Sequence, residues 1–320
     1  MERLRIGLLG AARVARAGIV DPVAAEPRAV LAAVAARDRG RAADFAREHD
    51  VAIVAADYAA LISHPGIDLV YVATPPAHHA EWAARAIAQG KHVLVEKPFG
   101  LDAREAEHVL ALARDRGVRV FEAMHAPHHP LFRKVEAIVS SGALGAIRRV
   151  VARFDVALPR TPGEFRWDAT QGGGALMDLG VYPLAFCRRL LGEAFEIESV
   201  TADLIEGVDA DFSARLRFDG GVIAEVSSAF TKPVVMELSV EGDCGTVLAD
   251  RIVVPHRGNR LETRIDGETM IEEVPGPTSW TAQLNAICDT LLDGRPFPLP
   301  EDDFVHSMRA IDRIRAAGGW

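Results

Sequence analysis

Short apolar runs alternate with helical patterns from the start of the chain to about residue 124. The runs predict strands at 5–9, 30–35, 69–73, 92–95 and 118–122. Asp102 and Glu105 form a capping-box pattern before one of the intervening helices, and Gly117 is the expected stop of that helix. Strands separated by helices predict a parallel, doubly wound α/β sheet with right-handed crossovers.

After residue 130 the pattern becomes that of a second, mostly antiparallel sheet. A helical stretch ends at Gly142, and residues 150–156 and 212–218 then alternate between apolar and polar positions. Gly220-Gly221 and Asp266-Gly267 have the composition of hairpin turns. With few helices between the strands, we expect an α+β domain whose sheet has one face covered by helices and the other open.

These patterns divide the chain into a domain of residues 1–124 and a domain of residues 125–320. The last helical pattern, 304–317, is expected to pack back on the first domain. An open sheet face is often buried by a second subunit, so we predict a homo-oligomer, a dimer or a tetramer, assembled through the C-terminal sheet.

Composition narrows the class of protein. The 320 residues carry a formal net charge of -9, which argues against a nucleic-acid surface because such a surface needs a basic stripe. There is no long apolar span, and the first residues enter the first strand directly, which leaves no room for a signal peptide. Cys187, Cys244 and Cys288 are too few and too far apart for a disulfide framework or a zinc site. We therefore expect a soluble cytoplasmic protein with no membrane or nucleic-acid partner.

The first strand runs into a glycine turn of the kind that binds dinucleotides. Gly10 is the expected tight-turn glycine, and helix N-terminal amides after it can hold a pyrophosphate. Ala12 stands where a second glycine is usual, and Ala15 stands at the third position. The residues expected at the phosphates are Gly10, Ala11, Ala12, Arg13 and Val14. A strand-to-helix turn of some other α/β protein is the alternative.

The second apolar run ends at Arg37-Asp38, where a dinucleotide site reads the adenosine ribose. An arginine there favours the 2′-phosphate of NADP, whereas an acidic residue favours the free hydroxyl of NAD. We expect Arg37 to select NADP. NAD stays possible, with Asp38 as the ribose ligand and Arg37 in solvent.

Two separated motifs carry candidate chemistry. Residues 95–98 place Lys97 after an apolar run, and residues 172–182 begin with three glycines and contain Asp178 and Tyr182 at i,i+4 spacing. These three side chains can move a proton off a substrate hydroxyl. A phenol has an ordinary pKa near 10, so a nearby ammonium must favour its ionised form. Each residue also has a simpler structural interpretation, Lys97 as a surface lysine and Tyr182 as a packed helix tyrosine.

Together these motifs, with 73–79 and 90–98, resemble the Gfo/Idh/MocA oxidoreductase family over nearly the whole chain. The resemblance implies an N-terminal Rossmann domain and a catalytic role for Lys97. It also implies that the nicotinamide side of the cofactor is lined by Thr74, Pro75, His79, Glu96 and Lys97. Most of the family has histidine at the position of Tyr182. Tyrosine at this position resembles the branch that contains dihydrodiol dehydrogenase, NADP-dependent xylose dehydrogenase and glucose-fructose oxidoreductase.

One segment departs from that branch. Where its members often have an aromatic residue, a spacer and an arginine, this chain has His125-Ala126-Pro127 and then two more histidines. We expect His125 near the substrate. A metal at these histidines is not favoured, because no carboxylate or cysteine spacing accompanies them and prolines break any helix. Arg166 does match the branch, which implies that it can reach a sugar hydroxyl, with Asp178 orienting the lysine or a substrate hydroxyl.

The sequence therefore predicts an NADP-linked oxidoreductase that acts on a secondary alcohol or hemiacetal of a sugar, cyclitol or polyol. Two alternatives are open. One is an enzyme that retains its cofactor and performs epimerisation, dismutation or glycosidic elimination. The other is a non-catalytic NADP sensor on the same fold.

Overall fold

The computed structural model describes residues 3–320, and the chain divides into two compact units. The first comprises the chain up to Met124 together with Trp280–Met308, and the second comprises His125–Ser279 and Arg309–Trp320. The predicted range 125–320 is thus interrupted by a segment of the first unit. Leu284, Ile287 and Cys288 of that segment are buried in the core of the first unit. Between residues 3 and 320 no helix has both the length and the apolar character needed to cross a membrane.

The first unit is built on a parallel sheet of six strands. In chain order the strands are β1 (Leu4–Leu9), β2 (Ala29–Ala35), β3 (Ile53–Val54), β4 (Leu69–Val72), β5 (His92–Val95) and β6 (Val120–Glu122). Their order in the sheet is β3-β2-β1-β4-β5-β6, and every neighbouring pair is parallel. The order reverses between β1 and β4, and such a switch point is where doubly wound sheets bind ligands.

Nine α-helices accompany the strands in the described chain. They are α1 (Asp21–Ala25), α2 (Arg39–Glu48), α3 (Tyr58–Ile62), α4 (His79–Ala88), α5 (Ala103–Arg116), α6 (Pro130–Ser140), α7 (Val181–Leu191), α8 (Ser279–Asp293) and α9 (Asp303–Gly318). The predicted cap of α5 is confirmed, because the Asp102 carboxylate accepts the Glu105 N–H at 2.9 Å and Gly117 ends the helix at φ 65°. The Glu105 carboxylate accepts from Leu101 N instead of closing the box on Asp102.

The second unit contains the predicted, mostly antiparallel sheet. Its strands are β7 (Ile147–Asp155), β8 (Phe195–Ile205), β9 (Val208–Phe218), β10 (Ile223–Ala229), β11 (Val235–Gly242), β12 (Gly245–Asp250), β13 (Arg260–Ile265) and β14 (Glu268–Glu272). The sheet order is β14-β13-β12-β11-β7-β10-β9-β8, and β7 with β10 is the one parallel pair among these strands. Both predicted hairpin turns are present, with positive φ at Gly220, Gly221, Asp266 and Gly267.

The two faces of this sheet differ in chemistry. One face packs beneath α7 and buries apolar side chains such as Phe212, Val226 and Val240. The other face carries partly exposed ion pairs between neighbouring strands. Arg149 and Arg215 both pair with Glu225, with N–O distances of 2.6 and 2.7 Å. This is the alternation expected for a sheet with one covered and one open face.

Candidate active site

Gly10 ends β1 in a turn that only glycine fits. Its φ is +97°, and a Cβ there would lie 2.6 Å from the Ala73 carbonyl oxygen. Its N–H donates to the Ala35 oxygen at 2.8 Å, so the turn is fixed to the end of β2. A π-helical turn, Arg16–Val20, follows the loop and continues directly into α1. Such turns are frequent at functional sites.

The loop residues after Gly10 differ in exposure. Ala11 and Ala15 are buried, Ala12 and Val14 are partly exposed, and Arg13 is exposed. Gly18 lies further along, where a Cβ would be 2.5 Å from the Tyr71 hydroxyl. The close helix-to-strand contact that a dinucleotide motif needs therefore involves Gly18.

Tyr71 connects this contact to the end of β5. Its buried hydroxyl donates a short hydrogen bond to Oε1 of Glu96, and the second carboxylate oxygen accepts the Lys97 N–H at 3.3 Å. Lys97 follows directly and is joined to Pro98 by a cis peptide. Phe99, fully buried, stacks on Phe304 with a centroid distance of 4.0 Å. Lys97 is therefore held between residues anchored in the core.

His79 fixes the neighbouring loop. Its ring nitrogens lie 2.8 Å from the Pro98 oxygen and 2.7 Å from the Thr74 oxygen. Two carbonyl partners favour the imidazolium, but burial, with the Lys97 ammonium nearby, lowers the pKa of His79 to about 4. At neutral pH the ring therefore donates to one carbonyl at a time, and it ties the residue before Pro75 to the residue after Lys97.

The end of β2 is basic and exposed. Arg37 and Asp38 are both exposed, but Asp38 is the N-cap of α2 and its carboxylate accepts the Arg41 N–H at 2.8 Å. The backbone N–H of Arg37 hydrogen-bonds to Tyr58, where burial raises the pKa of the phenol. Oδ1 of Asp38 is engaged at the cap of its own helix, and the exposed Arg37 places a positive charge at this strand end.

The first unit fits a dinucleotide on two observations. Gly10 forms a cradle that a Cβ would fill. Thr74 Oγ1, at the carboxyl end of β4, is buried and has no hydrogen-bond partner among the described residues. A buried hydroxyl without a partner is costly, and a polar ligand group would satisfy it.

In the second unit, the three glycines of the sequence motif bring the chain against itself. Gly172 has φ 79°, a Cβ on Gly173 would lie 2.5 Å from the Arg166 oxygen, and one on Gly174 would lie 2.1 Å from Asp209 Oδ1. The backbone of Gly173 and Gly174 thus lies close to the Arg166 carbonyl and the Asp209 carboxylate. Gly174 leads into a π-helical turn, Leu176–Gly180, that continues as α7.

Asp209 holds the start of this helix, and sequence reasoning missed it. Its carboxylate is buried and accepts the Leu176 N–H at 2.6 Å. Burial raises the pKa of the Asp209 carboxyl to about 6, and backbone N–H groups at Leu176 and Ala175 oppose that rise. The pairing of β8 with β9 explains the omission. Asp203 pairs with Asp211 and Leu204 with Asp209, so Ala210 is a bulge that turns Asp209 inward.

We expect Asp209 to make stability pH-dependent. Between about pH 4 and pH 6 the folded chain keeps a proton that the unfolded chain releases, so this group's contribution falls as pH rises through that window. Relative to Asp209→Asn, the wild type should lose on the order of 3 kcal/mol of unfolding free energy across it. Urea unfolding at several pH values measures the difference, with Asp211→Asn as the control for a carboxylate removed from the same strand. If the difference in unfolding free energy between wild type and Asp209→Asn did not change with pH, the raised pKa of the Asp209 carboxyl would be contradicted.

Asp178 and Arg166 are brought together. The Nε of Arg166 donates to Asp178 at 2.8 Å and its Nη1 donates to Glu164 at 2.9 Å. Burial opposes the charge, but the two carboxylates raise the pKa of Arg166 above its usual value. The arginine that matches the family branch is therefore held by the aspartate of the helix motif.

Tyr182 lies on α7, one turn after Asp178, with its hydroxyl 2.9 Å from Nε2 of His125. Nδ1 of His125 lies 2.8 Å from the Ser279 hydroxyl. All three side chains are buried. The structure thus brings His125 to Tyr182 and adds Ser279, which no sequence pattern indicated.

The two neighbouring histidines have separate surroundings. Nδ1 of His129 accepts the Leu131 N–H at 3.0 Å and so caps α6. Burial lowers the pKa of His128 to about 3. Within residues 3–320 no three His, Cys, Asp or Glu side chains converge as they would around a metal ion.

The fold and these residues define a class of protein, an oxidoreductase that uses a nicotinamide dinucleotide. A six-stranded doubly wound sheet with a glycine turn at its switch point is typical of a dinucleotide site, and the second unit contains a buried tyrosine, Tyr182, hydrogen-bonded to His125. Comparison with known families identifies it further. Residues 4–124 match the oxidoreductase family with an NAD-binding Rossmann fold, and residues 132–248 match the Gfo/Idh/MocA C-terminal domain. The chain belongs to the Gfo/Idh/MocA family.

Similar proteins support this assignment along the whole chain. A dTDP-3,4-didehydro-2,6-dideoxy-alpha-D-glucose 3-reductase from Actinomadura kijaniata is 30% identical, over 98% of this chain and 95% of its own. A D-xylose 1-dehydrogenase (NADP(+)) 2 from Haloferax volcanii is 31% identical, over 97% and 96%. The crystal structure of a 3-ketoreductase from Actinomadura kijaniata, in complex with NADP and TDP-benzene, has a TM-score of 0.92 and 28% identity, covering 99% of this chain and 98% of that one.

These findings confirm the predicted family, fold class and enzyme class. The N-terminal Rossmann sheet and the larger C-terminal sheet are those of the family. The protein is an NAD(P)-dependent oxidoreductase.

Proposed function

We propose that this protein transfers hydride between NADP and a carbon of a sugar or sugar derivative, interconverting an alcohol or hemiacetal with its carbonyl form. The observation that carries the proposal is the buried Tyr182 hydroxyl, hydrogen-bonded at 2.9 Å to His125 on a chain that also has a dinucleotide turn. A module that only binds nucleotide has no need of a buried proton-transfer group.

The cofactor is assigned to the first unit. Residues Gly10, Ala11, Ala12, Arg13 and Val14 would hold the pyrophosphate, and Arg37 would meet the 2′-phosphate. Thr74, Pro75, His79, Glu96 and Lys97 would line the nicotinamide side. When bound, the nicotinamide supplies or accepts the hydride. Relatives with NADP in their names or crystals support this choice of nucleotide.

The protein's own groups would manage the proton. Tyr182 takes the proton of the substrate hydroxyl in the oxidative direction and returns it in the reductive direction. The ammonium of Lys97 stabilises the negative charge that develops on the oxygen. Asp178 keeps Arg166 in place at 2.8 Å, and Arg166 hydrogen-bonds a substrate hydroxyl.

The substrate class is inferred from relatives whose names specify sugars. One reduces a dTDP-linked keto sugar and another oxidises xylose. Solved structures of the 3-ketoreductase include variants of one tyrosine and of one lysine, the two residue types to which the proposal assigns the chemistry of this chain. Relatives named as reductases and dehydrogenases favour net redox chemistry over a retained cofactor or a sensor.

Two further properties are proposed with the function. A homo-oligomer would form through the open face of the C-terminal sheet, whose charged ladder includes Arg149, Arg215 and Glu225. A cytoplasmic location is supported by the three cysteines, all of them free thiols.

We expect NADPH to bind about 10 to 100 times more tightly than NADH, because Arg37 can pair with the 2′-phosphate. Titration followed by nicotinamide fluorescence measures both affinities. Arg37→Ala should weaken NADPH binding to near the level of NADH and leave NADH unchanged. Arg47→Ala removes an exposed arginine at the other end of α2 and is the matched control. A screen of aldoses and nucleotide-linked keto sugars then follows NADPH absorbance.

Each result of the nucleotide titration and the sugar screen tests a different part of the proposal. Preference for NADH would move the nucleotide-reading role from Arg37 to Asp38. Binding of neither nucleotide would refute the dinucleotide site, and binding without turnover of any sugar derivative would refute the sugar substrate.

A further inference from the structure

Tyr182, His125 and Ser279 form a continuous hydrogen-bonded chain in the second unit. The phenolic oxygen lies 2.9 Å from Nε2 of the imidazole, and Nδ1 lies 2.8 Å from the serine hydroxyl. The exposed fractions are 3%, 3% and 0%. Buried polar groups at these distances make hydrogen bonds that solvent cannot replace.

Packing fixes the geometry of the chain. His125 begins a tight turn in which its oxygen accepts the His128 N–H at 3.1 Å. The Tyr182 ring meets the His125 ring edge-on at a centroid distance of 5.4 Å, and it meets the Phe154 ring at 5.6 Å. Neither ring can turn away from the other without disturbing this contact.

The imidazole can pass a proton without breaking either hydrogen bond. A neutral histidine has one donor nitrogen and one acceptor nitrogen, whereas a serine hydroxyl can donate or accept. If Nδ1–H donates to Ser279, Nε2 accepts the phenolic O–H. If Ser279 donates to Nδ1, Nε2–H donates to the phenolic oxygen and supports a phenolate.

We propose that His125 and Ser279 are a proton relay behind Tyr182, which rests on the proposed function of Tyr182 as the proton-transfer group. In the oxidative direction the substrate O–H bond breaks and a new O–H bond forms on Tyr182. The original phenolic O–H bond breaks as an N–H bond forms on Nε2 of His125. The C–H electron pair would leave as hydride to a bound nicotinamide, and the step ends with an imidazolium whose Nδ1–H donates to Ser279; in the reductive direction the same proton returns through Tyr182 to the substrate oxygen.

The relay solves a chemical difficulty of the site. A phenol with an ordinary pKa near 10 is a poor proton acceptor at neutral pH, and a neutral imidazole that accepts the phenolic O–H at Nε2 makes loss of that proton easier. Asp178, one turn before Tyr182, is paired with Arg166, and in the turn that His125 begins burial lowers the pKa of His128 to about 3. On β7 the residue that contacts Tyr182 is the apolar Phe154.

The test measures the ionisation of Tyr182 directly, by NMR. The chain has three tyrosines, so protein labelled with ¹³Cζ-tyrosine gives three signals, assigned with Tyr58→Phe and Tyr71→Phe. We expect His125→Phe to move the ionisation of Tyr182 to higher pH by about one unit or more. His125→Gln should move it less, because the amide still donates, and Ser279→Ala should remove part of the effect. Unchanged Tyr58 and Tyr71 signals show that the first unit of each variant is folded, and the urea-unfolding midpoint of each variant, compared with wild type, checks the second unit.

Turnover is the second measurement. Once a sugar substrate has been identified, His125→Gln should lower kcat about 10- to 100-fold and leave KM within about threefold of wild type. The same variant should lose the limb of the pH–rate profile that the histidine controls. An unchanged Tyr182 ionisation in His125→Phe, or an unchanged pH profile in His125→Gln, would overturn the relay. Because the NMR measurement needs no substrate, a wild type that turns over no sugar refutes the proposed function separately.

Discussion

Replacing Lys97 by methionine is expected to reduce turnover about a thousandfold or more, with NADPH affinity within about threefold of wild type. Methionine keeps the length and flexibility of the side chain but removes the ammonium. The backbone is held independently, by Glu96 on one side and by the buried Phe99 on the other. The loss should therefore fall on the step in which negative charge develops on the substrate oxygen. Steady-state rates and nicotinamide fluorescence titration, made on the same preparation, separate kcat from binding.

Lys134→Met is the matched control for this variant. Lys134 pairs with Glu272 at 2.6 Å and lies on α6 of the second unit, so its removal takes away a charge without touching the proposed chemistry. Turnover like that of wild type in Lys97→Met would remove Lys97 from the mechanism. Loss of NADPH binding in that variant would instead assign Lys97 to holding the cofactor.

Much of the fold could be predicted because its signals are local in sequence. The strands of the first sheet are apolar runs with helices between them, so periodicity and punctuation located them within a few residues. The short strand β3, Ile53–Val54, was missed because two residues carry no periodicity. A return to the first domain was predicted only for the helical pattern 304–317; the return of the chain from Trp280 onward was not predicted, since a long-range packing contact leaves no local pattern.

In the candidate site, too, the residues with a local sequence signal could be predicted and those that depend on long-range contacts could not. Gly10 and Lys97 directly follow strands, and Tyr182 lies on the helix after the three glycines. At such positions residue type and spacing are enough to indicate a chemical role. The supporting residues could not be predicted, because Tyr71 reads as an ordinary strand residue and Asp209 faces inward only through the bulge at Ala210. His125 was expected near the substrate, but its hydrogen bond to Tyr182 depends on the tertiary path of the chain.

The second large effect concerns Gly174. We expect Gly174→Ala to destabilise the second unit by about 3 kcal/mol or more and to reduce activity strongly in the protein that remains folded. The backbone there has φ +125°, which side chains rarely adopt, and the added Cβ would lie 2.1 Å from Asp209 Oδ1. To relieve the clash, either the Asp209 hydrogen bond to Leu176 N or the start of the helix that carries Asp178 and Tyr182 must shift.

Gly163→Ala separates backbone strain from the clash. Gly163 also has positive φ, +80°, but nothing lies within 4 Å of an added Cβ, so its cost should be only about 1 to 2 kcal/mol. Urea unfolding of both variants gives the difference, and Gly174→Ala in an Asp209→Ala background removes the clashing oxygen. If the clash is the cause, adding Gly174→Ala to that background should cost about as much as Gly163→Ala does in the wild type. Equal costs for Gly163→Ala and Gly174→Ala in the wild type would show that the third glycine is required for its backbone conformation alone, and not for the contact that anchors the helix of Tyr182.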